Sequence, residues 1–159
     1  MSATADEIIA KTNATHAKFL AYIASLDTDA VNRRPADDRW SPREIVAHLT
    51  DAERAHRRFM QVVVSGSEMP VIENFDLDAW NAARIAKRAN LTLDEMLAEF
   101  EKERAETLAY LPTIPDDAWE LTGAHAALGT VSVEYVARIV GLHERLHLKE
   151  MVEGVDVGA

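Results

Sequence analysis

Helix-start signals constrain this chain more than any other feature. Thr4-Ala5-Asp6-Glu7, Ser41-Pro42-Arg43-Glu44 and Thr92-Leu93-Asp94-Glu95 each read as a capping box, and Ser132 opens a fourth helical run. In such a box the hydroxyl accepts the backbone N–H three residues on, and the glutamate reaches back to the N-cap N–H. Pro42, at the first helical position, strengthens the second start. Apolar residues at helical spacing follow each signal. Ile8, Phe19 and Ile23 mark a first helix over residues 5–26, and Ile45, Leu49, Phe59 and Val63 a second over 42–65. Met96, Phe100 and Leu108 mark a third, stopped by Pro112, and Val136, Ile139 and Val140 a fourth that runs to Gly154. No alternating β-branched run stands out. The fold class predicted is all-α, a four-helix bundle, as a single domain over residues 1–159.

The connections are unequal. Asp27 to Arg39 reads as a polar loop, and residues 112–131 as a second connection with His125 exposed. Residues 66–91 are longer, and a loop of that length in a compact domain is usually a lid or a crossover. Its middle, Phe75-Asp76-Leu77-Asp78-Ala79-Trp80, is expected to open a short helix capped by Asp76 or Asp78. Trp80 then either packs the crossover onto the bundle or touches substrate.

The chemistry concentrates in His143-Glu144-Arg145-Leu146-His147. Imidazoles four residues apart share one helix face, with Cβ atoms roughly 6 Å apart, and can bind one divalent metal. The letters match the H-E-x-x-H pattern, in which Glu144 would be the general base. Zincins, however, take their third ligand downstream, and the positions three and six beyond His147 hold Glu150 and Glu153. The absence of a sheet over the motif also weakens the protease reading. His48 is the best upstream ligand. It lies near the start of the second helix, whereas His143 and His147 lie near the end of the fourth. They meet only if those helices run antiparallel, which means an up-down-down-up bundle with a long crossover between helices 2 and 3. Residues 66–91 supply one. His56 falls two turns, about 12 Å, from His48 and is read as a core or cavity-wall residue. His16 lies on the first apolar stripe and is read as a buried, hydrogen-bonded histidine.

Charge and composition exclude several classes. A net charge of −10, with no basic cluster longer than two residues, argues against nucleic acid as partner. No run of apolar residues is long enough to span a membrane. The N-terminus lacks a signal sequence, from which a cytoplasmic location is expected. With no cysteine, any thiol chemistry must use an external thiol.

Trp40-Ser41-x-x-Glu44-Ile45-x-x-His48-Leu49-x-Asp51-Ala52-Glu53, the Phe75-Asp76-x-Asp78-x-Trp80 crossover and His143-x-x-x-His147 resemble the DinB/YfiT-like superfamily, in its DinB-like branch. The resemblance runs from about residue 5 to 152. It implies a homodimeric four-helix bundle with a divalent metal, zinc, nickel or similar, held by His48, His143 and His147. It also implies small-molecule chemistry, either transfer using a low-molecular-weight thiol or hydrolysis. Asp51, one turn from His48, or Glu44 is a candidate to orient a ligand imidazole. Arg43, Arg54 and Arg145 are candidates to hold an anionic substrate. The competing readings are a non-catalytic bundle that binds or protects against a small molecule and, last, the protease.

Overall fold

The computed structural model describes residues 3–154 of the chain. Four long helices make the bundle: α1 (Ala3–Ser25), α3 (Pro42–Val64), α5 (Leu93–Tyr110) and α6 (Val133–Glu153). Two shorter ones, α2 (Thr28–Asn32) and α4 (Leu77–Lys87), lie in the connections. Strands β1 (Thr122–His125) and β2 (Gly129–Ser132) form an antiparallel hairpin ahead of α6.

The capping chemistry explains where most of these elements begin. Ser41 and Glu44 close one reciprocal box, Thr92 and Glu95 another, and the Ser132 hydroxyl accepts the Tyr135 N–H. Gly154 ends α6 in the left-handed conformation, φ 67°, where a side chain would be strained. Other sequence expectations are corrected. Helix α1 already starts at Ala3, so Thr4 lies inside its first turn and Glu7 turns to Lys11 and Arg138 instead. The stretch after Asp27 is not wholly loop, because the Asp27 carboxylate caps α2, which buries Val31. Asp76, rather than Asp78, caps α4. The connection after α5 holds two 3₁₀ turns and the hairpin. Its strands are too short to show alternation, and Gly123 is drawn tightly onto Val63 and Phe59 of α3.

Cross-helix contacts fix the direction of every bundle helix. Between α1 and α6, Glu7 meets Arg138, His16 meets Glu144 and Tyr22 meets the Met151 carbonyl, so the two run parallel. Between α3 and α5, Arg43 reaches Leu91 and Arg57 reaches Glu103 and Thr107, so these also run parallel. Helices α3 and α6 are antiparallel, since His48 packs against His147 whereas His56, two turns further along α3, packs against the earlier His143. This is the up-down-down-up arrangement, with the α4 segment as crossover. Gly141 permits the α1–α6 approach: a Cβ there would lie 2.8 Å from Thr12 Oγ1 and 3.3 Å from Thr12 Cα.

The interior is two apolar clusters with a polar belt between them. Ala5, Ile8, Phe59, Leu111 and Val136 pack one end, and Phe19, Ile23, Ile45, Met96 and Phe100 the other. The belt takes one residue from each bundle helix. Arg104 of α5 makes a two-pronged pair with Glu53 of α3, 3.0 Å on each side, and a 2.8 Å bond to Glu144 of α6. Glu144 in turn accepts a 2.7 Å hydrogen bond from His16 Nδ1 of α1. Glu53, Arg104 and Glu144 are buried, so removing Arg104, the one cation that both carboxylates share, would strand their charge at a cost of about 3–5 kcal/mol. Among the described residues, no helix is long and apolar enough to cross a membrane.

Candidate metal centre

His48 sits in the second turn of α3, while His143 and His147 sit one turn apart on α6. The antiparallel packing of these helices brings all three rings together at one end of the bundle. Their Nε2 atoms converge: His48 to His143 is 3.0 Å and His147 to His143 is 3.1 Å. Among the described residues these three form the one cluster whose ligand atoms all lie within 4.8 Å of each other.

The other ring nitrogens of two of these histidines are already engaged. His147 Nδ1–H donates to the Glu150 carboxylate at 2.9 Å, and His48 Nδ1–H donates to Asn81 Oδ1 at 3.1 Å. A carboxylate can only accept, so His147 carries its proton on Nδ1 and presents a bare Nε2; His48 does the same toward Asn81. Two lone pairs thus face His143 Nε2, which has at most one proton to offer. Hydrogen bonding alone leaves one of them unmatched, and a cation satisfies them together. Ligands about 2.0–2.1 Å from a zinc ion lie roughly 3.3 Å apart in tetrahedral geometry, close to the spacing here. The donor set fits a divalent metal.

The electrostatics also favour neutral ligands. Burial depresses His143 to about 3, with the nearby His147 adding to the effect, and depresses His147 to about 4. His48 is held well below its usual value by burial and then by the other two imidazoles, against the opposing pull of Asn81. Trp40 covers the cluster, its ring 4.7 Å from that of His48 and 6.1 Å from that of His147.

Other expected site residues fall elsewhere. Asp51 does not orient His48; its carboxylate is taken by Arg88 and Arg54. Glu44 keeps its cap and pairs with Arg34. Glu144 is buried in the belt, engaged by Arg104 and His16. Arg54 pairs with Glu103, and Arg145 is exposed on the far side of α6. Trp80 is half-buried under the Arg84 guanidinium, 5.2 Å from its centroid, and does not line the cleft beside the histidines. His56 is buried, with its ring 6.2 Å from that of His143. Its Nδ1 lies 3.3 Å from Nε2 of His125, which is half-buried on the hairpin rather than exposed in a loop. Burial holds His56 down to about 3. His16 is hydrogen-bonded, as expected, and outside the cluster.

Sequence reasoning missed both residues that orient the histidines. Glu150 carried a signal, since it follows His147 by three positions on the same helix face. Asn81 carried none, because only the docking of the crossover brings it to His48.

Fold and site define a class: up-down-down-up four-helix bundles in which histidines of two antiparallel helices converge in a cluster of metal-ligand type. The chain belongs to the DinB superfamily, whose family model matches residues 11–151. It is 21% identical over 140 residues to the uncharacterized protein YuaE of Bacillus subtilis (strain 168), spanning 82% of this chain and 86% of that one. Its fold is similar to that of YfiT from Bacillus subtilis, described as a probable metal-dependent hydrolase with an unusual four-helix bundle topology. That likeness has a TM-score of 0.78 at 19% identity, over 96% of this chain and 87% of YfiT. It is also similar to a mycothiol-dependent maleylpyruvate isomerase, with a TM-score of 0.73 at 18% identity, over all of this chain and 64% of the isomerase.

Proposed function

We propose that this protein is a divalent-metal-dependent enzyme acting on a small molecule, with His48, His143 and His147 as the metal ligands. The observation that carries the reading is the convergence of three neutral imidazole nitrogens with too few protons to satisfy one another. Three ligands leave coordination positions open, the pattern of a catalytic rather than a structural site. A divalent ion held there supplies Lewis acidity and eases deprotonation of water or a thiol on its open side. The chain's own part is to hold and orient. Asn81 and Glu150 fix the tautomers of His48 and His147, and Trp40 shields the rings from water. Glu144 ties the helices together, so it is not assigned as the base.

The chemistry is either hydrolysis or transfer that uses a low-molecular-weight thiol; YfiT, described as a probable metal-dependent hydrolase, and the mycothiol-dependent isomerase support metal and thiol chemistry on this fold. Since the chain has no cysteine, a thiol reaction takes its sulfur from a second small molecule. Metal analysis of the purified protein tests the first step, with one equivalent expected in wild type and a loss in His48→Ala and His143→Ala. Full metal content in both variants would remove the three-histidine site. A panel of small electrophiles, assayed with and without low-molecular-weight thiols, then separates transferase from hydrolase.

A further inference from the structure

A cleft of about 840 Å³ opens beside His147, between the start of α3, the crossover helix α4 and the end of α6. His147 and Glu150, both buried, are among its lining residues. One wall is apolar: Trp40 on one side, and Ala82, Ile85 and Ala86 of α4 on the other.

The charged residues around it are not equivalent. Arg34 is occupied by Glu44, and Arg88 by Asp51 and Glu99. Arg43 has only the Leu91 carbonyl as acceptor and pairs with no carboxylate among the described residues. Arg39 donates one bond to the Gly154 carbonyl and lies 3.6 Å from Glu150, while its buried Nε–H has no acceptor among the described residues. A buried donor without a partner is costly, and a guanidinium is shaped to take a carboxylate. Asp38 and Asp78 also line the cleft, but both are exposed, where water screens their charge. Arg39 and Arg43 are half-buried. The buried Glu150 carboxylate offsets part of the Arg39 charge from 3.6 Å but is itself engaged by His147, which leaves Arg43 and the open Nε–H edge of Arg39 as the cationic groups for a ligand.

We propose that this cleft binds a small organic anion, its carboxylate held by Arg39 and Arg43 and its apolar body laid against Trp40 and α4. The inference deepens the metalloenzyme reading by naming a substrate class, yet the binding itself needs no metal. The crossover connects the two, since α4 lines the cleft and also carries Asn81, which grips His48.

The test is calorimetric titration of the full-length protein, both metal-loaded and chelator-treated, with benzoate, benzamide and benzylamine. Benzoate is expected to bind both forms, and the neutral and cationic analogues about tenfold more weakly or worse. Arg39→Gln and Arg43→Gln are each expected to weaken benzoate about tenfold. Arg39→Lys, which keeps the charge but loses the Nε–H and the planar fork, should fall between. If Arg39→Gln does not fold, as judged by circular dichroism, Arg39→Lys and Arg43→Gln carry the test. Equal binding of benzoate and benzamide, preference for benzylamine, no binding of benzoate, or indifference to the arginine substitutions overturns the proposal. The metal reading fails separately, on metal content. If His143→Ala still discriminates benzoate from benzamide, the anion site stands whatever becomes of the metal.

Discussion

Glu144 is the residue on which a motif reading and a structural reading diverge most, and Glu144→Gln separates them. As the base of an H-E-x-x-H site, Glu144 would be replaceable by its isostere with little effect on stability and a large loss of activity. In the fold it is a tie between helices: fully buried, bonded to Arg104 at 2.8 Å and to His16 at 2.7 Å. Glutamine keeps the volume but removes the charge. Arg104 retains Glu53, so its guanidinium is not stranded. The single amide oxygen can keep accepting from Arg104, but the amide NH2 then faces His16, whose Nδ1 must give up its proton and accept instead. The weakened ionic bond and the enforced tautomer together cost about 1–3 kcal/mol. For a chain of this size 1 kcal/mol moves Tm by about 2–4 °C, which gives an expected fall of roughly 2–12 °C. Circular-dichroism melts of the wild type and variant, with metal content measured on the same samples, provide the assay. The expected result is a lower Tm with one equivalent of metal retained. An unchanged Tm would refute the belt argument, and peptide turnover that Glu144→Gln abolishes would restore the protease.

Three further outcomes are expected. Asn81→Ala and Glu150→Ala each free an imidazole of the cluster and should weaken metal binding about 10–100-fold; competition with a chromophoric chelator measures this, and unchanged affinity would mean that neither holds its ring. In chelator-treated protein, urea denaturation should show stability falling as pH drops from 7 to 5. Histidines of the unfolded chain titrate near 6.5, whereas folded His56 and His143 are held near 3. Protons are thus taken up on unfolding in this window, at about 2 kcal/mol for each such histidine at pH 5, and a flat or rising profile would contradict their neutral burial. Gly141→Ala should destabilise by about 1–3 kcal/mol, because its Cβ would meet Thr12 at contact too close to relax without moving a helix; a variant as stable as wild type would show that α1 and α6 have room to separate.

What the sequence discloses follows from how local each signal is. Ser41, Thr92 and Ser132 act within one turn of chain, so their helices were legible to within a residue. The convergence of the three histidines was legible because the i, i+4 spacing is local and because one topological inference, drawn from the length of residues 66–91, placed His48 beside that pair. Helix α2 was not, being a single capped turn with only Val31 buried. The hairpin hid because four-residue strands hold too little pattern. Asp51 shows the limit most sharply. It lies one turn from His48, the right distance to orient it, but the buried Arg88 arriving from the end of α4 is a stronger partner and takes its carboxylate. Asn81, from the same crossover, takes the vacated role. Local spacing proposes such pairs, and competition among residues brought in by the fold decides them.

The distance in sequence between the two halves of the histidine cluster has a further consequence. His48 and His143 are 95 residues apart. An ion gripped by both would close a loop over most of the chain, as a disulfide does in a secreted protein. For a loop of that length chain-entropy arguments give about 4–5 kcal/mol, comparable to a large share of a domain's stability. A cysteine-free protein would then own a cross-link that forms on loading and dissolves on chelation. Its resistance to proteolysis would report metal supply directly.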